Sequence, residues 1–189
     1  MENKEYFESF EQNLTESLVE YCISVGAINS ILIDVEELDE KWTEIAPEYM
    51  VDAIPNFNDY PTVAIAWAGY VGVAMAYIWD TDWSKYSEVN NIYKMISEPR
   101  TFDAMDEYIV EDILGLSLED ESAQKLENTL RSCAQMANSM MRKEGIQPMS
   151  SEAFHVYAHT VKVFYKLGIT IELNRLGYEY TLAGSEYLN

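Results

Sequence analysis

The sequence predicts an all-α protein, a compact single-domain bundle of six to seven helices around a buried central helix at residues 62–79. Three observations lead there. Apolar residues recur at spacings of three and four along most of the chain, the period of one helix face. Glycines and prolines punctuate those stripes, as at Gly26, Gly115, Gly145 and Pro148, where helices end. Finally, Thr62 to Trp79 holds no charged residue, and a helix apolar all round belongs inside a core.

The first stripe is Phe7, Phe10, Leu14, Leu18, Tyr21, Cys22 and Val25, with Glu8, Glu11, Glu16 and Glu20 opposite. Gly26 suits its end, because glycine accepts the left-handed conformation of a C-terminal cap. A second stripe runs through Ile28, Ile31, Leu32, Val35, Leu38, Trp42 and Ile45, and Pro47 is expected to close it. Residues 47–61 carry Pro47, Pro55 and Pro61 with Asn56, Asn58 and Asp59, a composition that predicts an irregular crossover with one helical turn near Tyr49 to Ala53.

The uncharged stretch 62–79 reaches the lower edge of a membrane span. Acids at both ends (Asp59, Asp80, Asp82) and no flanking basic cluster argue for a core helix instead. Its Ala64, Ala68, Gly72 and Ala76 at a strict spacing of four form a groove for a close helix neighbour. Further helices are expected at Ser84 to Ile96, at Thr101 to Leu114, after a capping box at Ser117 to Asp120, and from Ser150 or Ser151 to about Leu176. The last of these contains Gly168. Tyr178, Tyr180 and Leu182 alternate, which predicts an extended tail against the body.

A chain of 189 residues with 48% hydrophobic content can fill one ordinary core without staples. Cys22 and Cys133 occupy apolar helical positions and read as buried free thiols, which suits a reducing compartment. The polar start Met1-Glu2-Asn3-Lys4-Glu5 is not a signal peptide, so the expected location is the cytoplasm.

Charge is the outlying property. The net charge is −21, and all of the excess lies in residues 1–120, because residues 121–189 hold 7 acids and 7 bases. Such a field repels nucleic acid and anionic membranes and favours a basic protein as partner. Acidity also serves solubility in many bacterial-type proteins. The run Asp34, Glu36, Glu37, Asp39, Glu40 and Glu44 concentrates this charge, and Glu36, Glu37, Glu40 and Glu44 are the candidate docking residues.

Two other constellations could carry chemistry. Glu152, His155 and His159 lie on one helix face at spacings that could share a metal, and Glu-x-x-His is a building block of di-iron bundles. With two histidines in the chain, a second such motif is missing and the di-iron reading fails. The same face continues into Lys162 and Lys166 and reads as a solvated polar stripe opposite Phe154, Tyr157, Val161, Phe164 and Tyr165. Trp79, Asp80, Asp82 and Trp83 could form a carboxylate-and-indole pocket for a cation, although Asp80 or Asp82 could equally cap the following helix. No phosphate-binding loop, nucleophile elbow, zinc motif or dinucleotide fingerprint occurs, so no cofactor and no catalytic residue is assigned.

Three functions follow as expectations. The first is a non-enzymatic interaction protein for a basic partner. The second is a metal-assisted hydrolase or metal-binding protein using Glu152, His155 and His159. The third is a helical bundle binding a small ligand near Trp79. Charge asymmetry favours the first.

Overall fold

In the computed structural model, which describes residues 2–179, α1 (Glu2–Ser24) ends as its glycine predicts. Gly26 takes φ +66°. Its amide donates to the Ile23 carbonyl at 3.0 Å, and the Ala27 amide reaches back to Cys22 at 2.8 Å. Those are the two bonds of a Schellman cap. The expected inner face of α1 is buried at Phe7, Phe10, Leu14, Leu18 and Cys22, whereas Val25 is exposed.

The second helix differs from its expectation at both ends. α2 spans Glu36–Phe57, so residues 28–35 are not helical and residues 47–57 are. The linker is fixed by α8 (Ser151–Arg175). The Ile33 amide donates to the Thr170 hydroxyl at 3.0 Å and the Asn174 amide donates to the Ala27 carbonyl at 3.1 Å. Pro47 and Pro55 lie inside α2 without ending it. A proline removes one helical donor, and both prolines are exposed, as are Thr43 and Val51, whose carbonyls lose that donor. Water can therefore serve those carbonyls. The helix survives because its breakers face out.

α3 (Pro61–Thr81) is the expected central helix. Among the described residues it is the one helix long and apolar enough to cross a membrane, and most of it is packed inside the protein. It shares the centre with α8, which is buried at nearly every position from Val161 to Leu173. The two run in the same direction, since Ala64 meets Tyr157, Gly72 meets Tyr165 and Trp79 shares a cleft with Leu173. The close helix contact expected at Gly72 is real, made against the Tyr165 and Ile169 backbone of α8, and Gly168 of α8 meets Gly69 of α3 in the same way.

Short elements follow α3. α4 (Trp83–Glu88) is capped by Asp82, whose carboxylate accepts from the Lys85 amide at 3.1 Å. α5 (Ile92–Ser97) follows. The single helix expected over 101–114 is instead a 3-10 turn (Phe102–Ala104), α6 (Met105–Tyr108) and a π turn (Ile109–Ile113). α7 (Glu121–Lys143) starts one residue after the expected capping box. Its partners form a separate turn there, with the Ser117 amide donating to the Asp120 carboxylate at 2.9 Å. α8 opens on Ser150, which accepts from the Ala153 amide at 3.1 Å. Among the described residues there are eight helices rather than six or seven, and no strand. Tyr180 and Leu182 of the expected extended tail lie outside the described residues.

Cys22 and Cys133 are free, fully buried and in contact, with Sγ atoms 3.5 Å apart.

Candidate functional site

The outer ridge of α2 carries the acidic run. Glu36, Glu37, Glu40 and Glu44 are all exposed. At 100° per residue, positions 36, 40, 43, 47, 51 and 54 form one stripe, and every one of them faces solvent. The ridge changes chemistry along its length. Glu36 and Glu40 give way to Pro47, then to Val51, which is 72% exposed, and Ile54. Glu44 is held by Lys41 at 3.1 Å, and that ammonium also lies 5.4 Å from the centre of the Tyr86 ring. Glu36 and Glu37 stand in the first turn of α2, where the helix dipole favours negative charge.

The inner neighbour of this ridge is a cleft of about 120 Å³. Its floor is Met75 and Ala76 of α3 with Ile169 and Leu173 of α8, and its walls include Leu38, Trp79 and Tyr86. Glu37 is the one acid among its lining residues. Burial raises the Tyr86 phenol well above its ordinary range, and the charge of Glu37 beside it adds to the effect. Behind this wall the Tyr165 hydroxyl is buried with no hydrogen-bond partner among the described residues. Burial pushes its pKa up too, with Tyr86 and Glu37 contributing.

Of the residues expected to form a carboxylate-and-indole pocket, only Trp79 lines this cleft. Asp82 caps α4 and pairs with Lys85 at 3.3 Å. The backbone amide and then the ammonium of Lys85 hold its carboxyl below the usual range. Asp80 accepts from the Tyr178 hydroxyl, and the Tyr178 ring packs edge-on against Trp79 at 5.6 Å. Trp83 is exposed, stacked on Tyr86. The indole keeps its place, but its carboxylate comes from Glu37, 42 positions earlier in the chain.

Glu152, His155 and His159, the candidate metal ligands, all lie in the first half of α8. Among the described residues no group of three His, Cys, Asp or Glu side chains comes together to hold a metal. His159 pairs through Nδ1 with Glu11 of α1, and His155 packs on the Phe7 ring at 5.1 Å. Glu152 is exposed. The face is not simply solvated either. Lys166 is 8% exposed and pairs with Asp34 and Asp39, while Lys162 reaches Asp39 at 3.0 Å. Burial alone would raise the Asp39 carboxyl, but its two lysines outweigh that and hold it low. This stripe clamps α8 to α1 and to the start of α2. Phe154, expected inside, is exposed.

The sequence gives no hint of Tyr86, Ile169 or Leu173 as site residues, because nothing in their spacing links them to Glu37. The chain matches no protein-family model, and comparison with curated proteins and with solved structures finds no relative.

Proposed function

We propose that this is a non-enzymatic binding protein for a basic protein partner, which lays cationic side chains along the outer ridge of α2. The partner seats one cation with an apolar stem in the cleft beside Glu37. One observation carries this reading. Glu37 belongs to the acidic ridge and also lines the apolar cleft with Trp79 and Tyr86, so long-range attraction and a shaped pocket meet at one residue. A lysine or arginine side chain matches that combination, with methylenes against apolar walls and its charge at the mouth. Val51 and Ile54 farther along the ridge add apolar contact of the kind interface cores use.

A synthetic peptide alternating lysine and leucine, titrated by tryptophan fluorescence at low and high salt, tests the reading. Binding should weaken steeply with salt, since exposed charges are screened over about 8 Å at physiological ionic strength. The combined Glu36→Gln, Glu37→Gln, Glu40→Gln and Glu44→Gln variant should lose most of it. Equal binding by parent and variant would remove the ridge from the proposal. Binding of a small aliphatic amine with no response to the peptide would replace the protein partner with a small ligand.

A further inference from the structure

A second cleft, of about 190 Å³, lies where α1 ends, α7 begins and α8 ends. It reverses the electrostatics of the rest of the chain. Its charged lining groups are Lys125, Arg175 and Glu172, two cations against one anion in a protein of net charge −21. Glu172 is 1% exposed and already neutralised, because Arg175 grips both its oxygens through Nε at 2.7 Å and Nη2 at 2.6 Å. That grip uses one edge of the guanidinium. Its remaining N–H groups have no partner among the described residues, and Lys125 spends one donor on the Gly26 carbonyl at 2.9 Å. Two cationic side chains with uncommitted donors therefore line a cleft whose other walls include Leu114, Leu116, Leu126 and Ile171 beside the polar Ser122, Thr129 and Asn174.

We propose that this cleft binds a short-chain aliphatic monocarboxylate, with its carboxylate between Lys125 and Arg175 and its chain against the leucines. One net positive charge calls for a monoanion, and arginine edges match planar carboxylates. The volume lies below the ~300–1,000 Å³ of drug-sized sites, which restricts the ligand to a small body. Leu114, Leu116, Leu126 and Ile171 give the ligand's chain an apolar surface, which favours an alkyl chain. The cleft is separate from the one beside Glu37, with no lining residue in common.

Calorimetric titration with hexanoate, hexanol and hexylamine tests it. Hexanoate should bind saturably, hexanol about tenfold more weakly because it lacks a charge-assisted bond, and hexylamine not at all. Lys125→Gln should weaken hexanoate about fivefold or more in protein that is still folded at the titration temperature, and Lys125→Arg should restore binding. Glu172→Gln should tighten hexanoate, because it removes the competing anion; a purely structural role would predict no gain. Equal affinity for hexanoate and hexanol would reduce the cleft to an apolar crevice and overturn the proposal. So would an unchanged Lys125→Gln, or a parent with no saturable hexanoate binding.

Discussion

A Cβ atom built on Gly168 would stand 1.8 Å from the carbonyl oxygen of Gly69, so the backbones of α8 and α3 meet there with no side chain between them. Gly72 repeats the arrangement, with the Tyr165 carbonyl 2.1 Å from its notional Cβ. Two parallel central helices can share one axis of the core because these positions lack side chains.

Gly168→Ala and Gly72→Ala should therefore rank among the most damaging single substitutions. Each forces backbone against backbone, which places it at or above the top of the ~1–3 kcal/mol range for overpacking. Gly72→Leu should be worse still. Gly69→Ala is the internal control, because its Cβ would meet the Leu130 side chain at 2.7 Å, and a leucine methyl can move aside. Denaturant melts of the four variants check the order. A Gly168→Ala melt matching the parent would show that the helices are not in backbone contact.

The ion pairs of Lys166 predict an asymmetry. The ammonium is buried, whereas Asp34 and Asp39 are more exposed, at 73% and 41% of their side-chain surface. Removing both acids by Asp34→Asn with Asp39→Asn strands a buried cation and should cost about 1–3 kcal/mol. Lys166→Met leaves Asp34 to water and Asp39 to Lys162, and should change stability by less than about 1.5 kcal/mol. The pH dependence has a defined sign. Asp39 titrates below its ordinary value in the folded chain, so its contribution is present above the unfolded pKa and is lost as pH falls through the folded one. The cost of Asp39→Asn should accordingly shrink in acid. A cost that grows in acid would contradict the pairing.

Cys22 and Cys133, 111 positions apart yet 3.5 Å apart at sulfur, should behave as one unit. In the native protein neither thiol should react with iodoacetamide, because both are fully buried. Refolding from denaturant in the presence of diamide should convert them to one intramolecular disulfide, the two hydrogens passing to diamide, read by mass spectrometry, and Cys133→Ser should abolish it. Closing so long a loop should raise stability by about 2–4 kcal/mol. Disulfide-linked dimers instead would mean that the sulfurs do not face one another.

These contacts show which parts of the structure a single sequence exposes. The buried face of α1, the groove at Gly72 and the Asp82 cap are local, set by residues three or four apart, and all are legible. The continuation of α2 through Pro47 and Pro55 is not, because whether a proline breaks a helix depends on which way it faces. The burial of Lys166 is decided by Asp34, 132 positions away, and the cleft at Trp79 by elements that meet only in the fold. The π turn at Ile109–Ile113 leaves an ordinary helical spacing of apolar residues in the sequence, so periodicity alone reports it as α-helix.

The docking proposal makes its sharpest prediction within the acidic run. If the ridge acts only through its field, Glu36→Gln, Glu37→Gln and Glu40→Gln should weaken the lysine–leucine peptide about equally, because each removes one exposed charge from the same helix surface. If the cleft receives a cation, Glu37 differs in kind, because it is the acid at the mouth, beside Trp79 and Tyr86. Loss of a rim charge alters association rate and salt dependence, whereas loss of the partner of a desolvated charge raises dissociation. Glu37→Gln should therefore speed dissociation and cost about tenfold in affinity, equivalent to ~1.4 kcal/mol. The other two should mainly slow association at low salt. Tyr86 gives a second readout. Its hydroxyl titrates high partly because of Glu37, so Glu37→Gln should lower the pH at which its phenol absorbance changes, while Glu36→Gln and Glu40→Gln leave it in place. Stopped-flow kinetics with ultraviolet pH titration of the three single variants decides between the two modes. Three equal dissociation rates, with an unmoved tyrosine titration, would leave a ridge that attracts its partner and a cleft that plays no part in holding it.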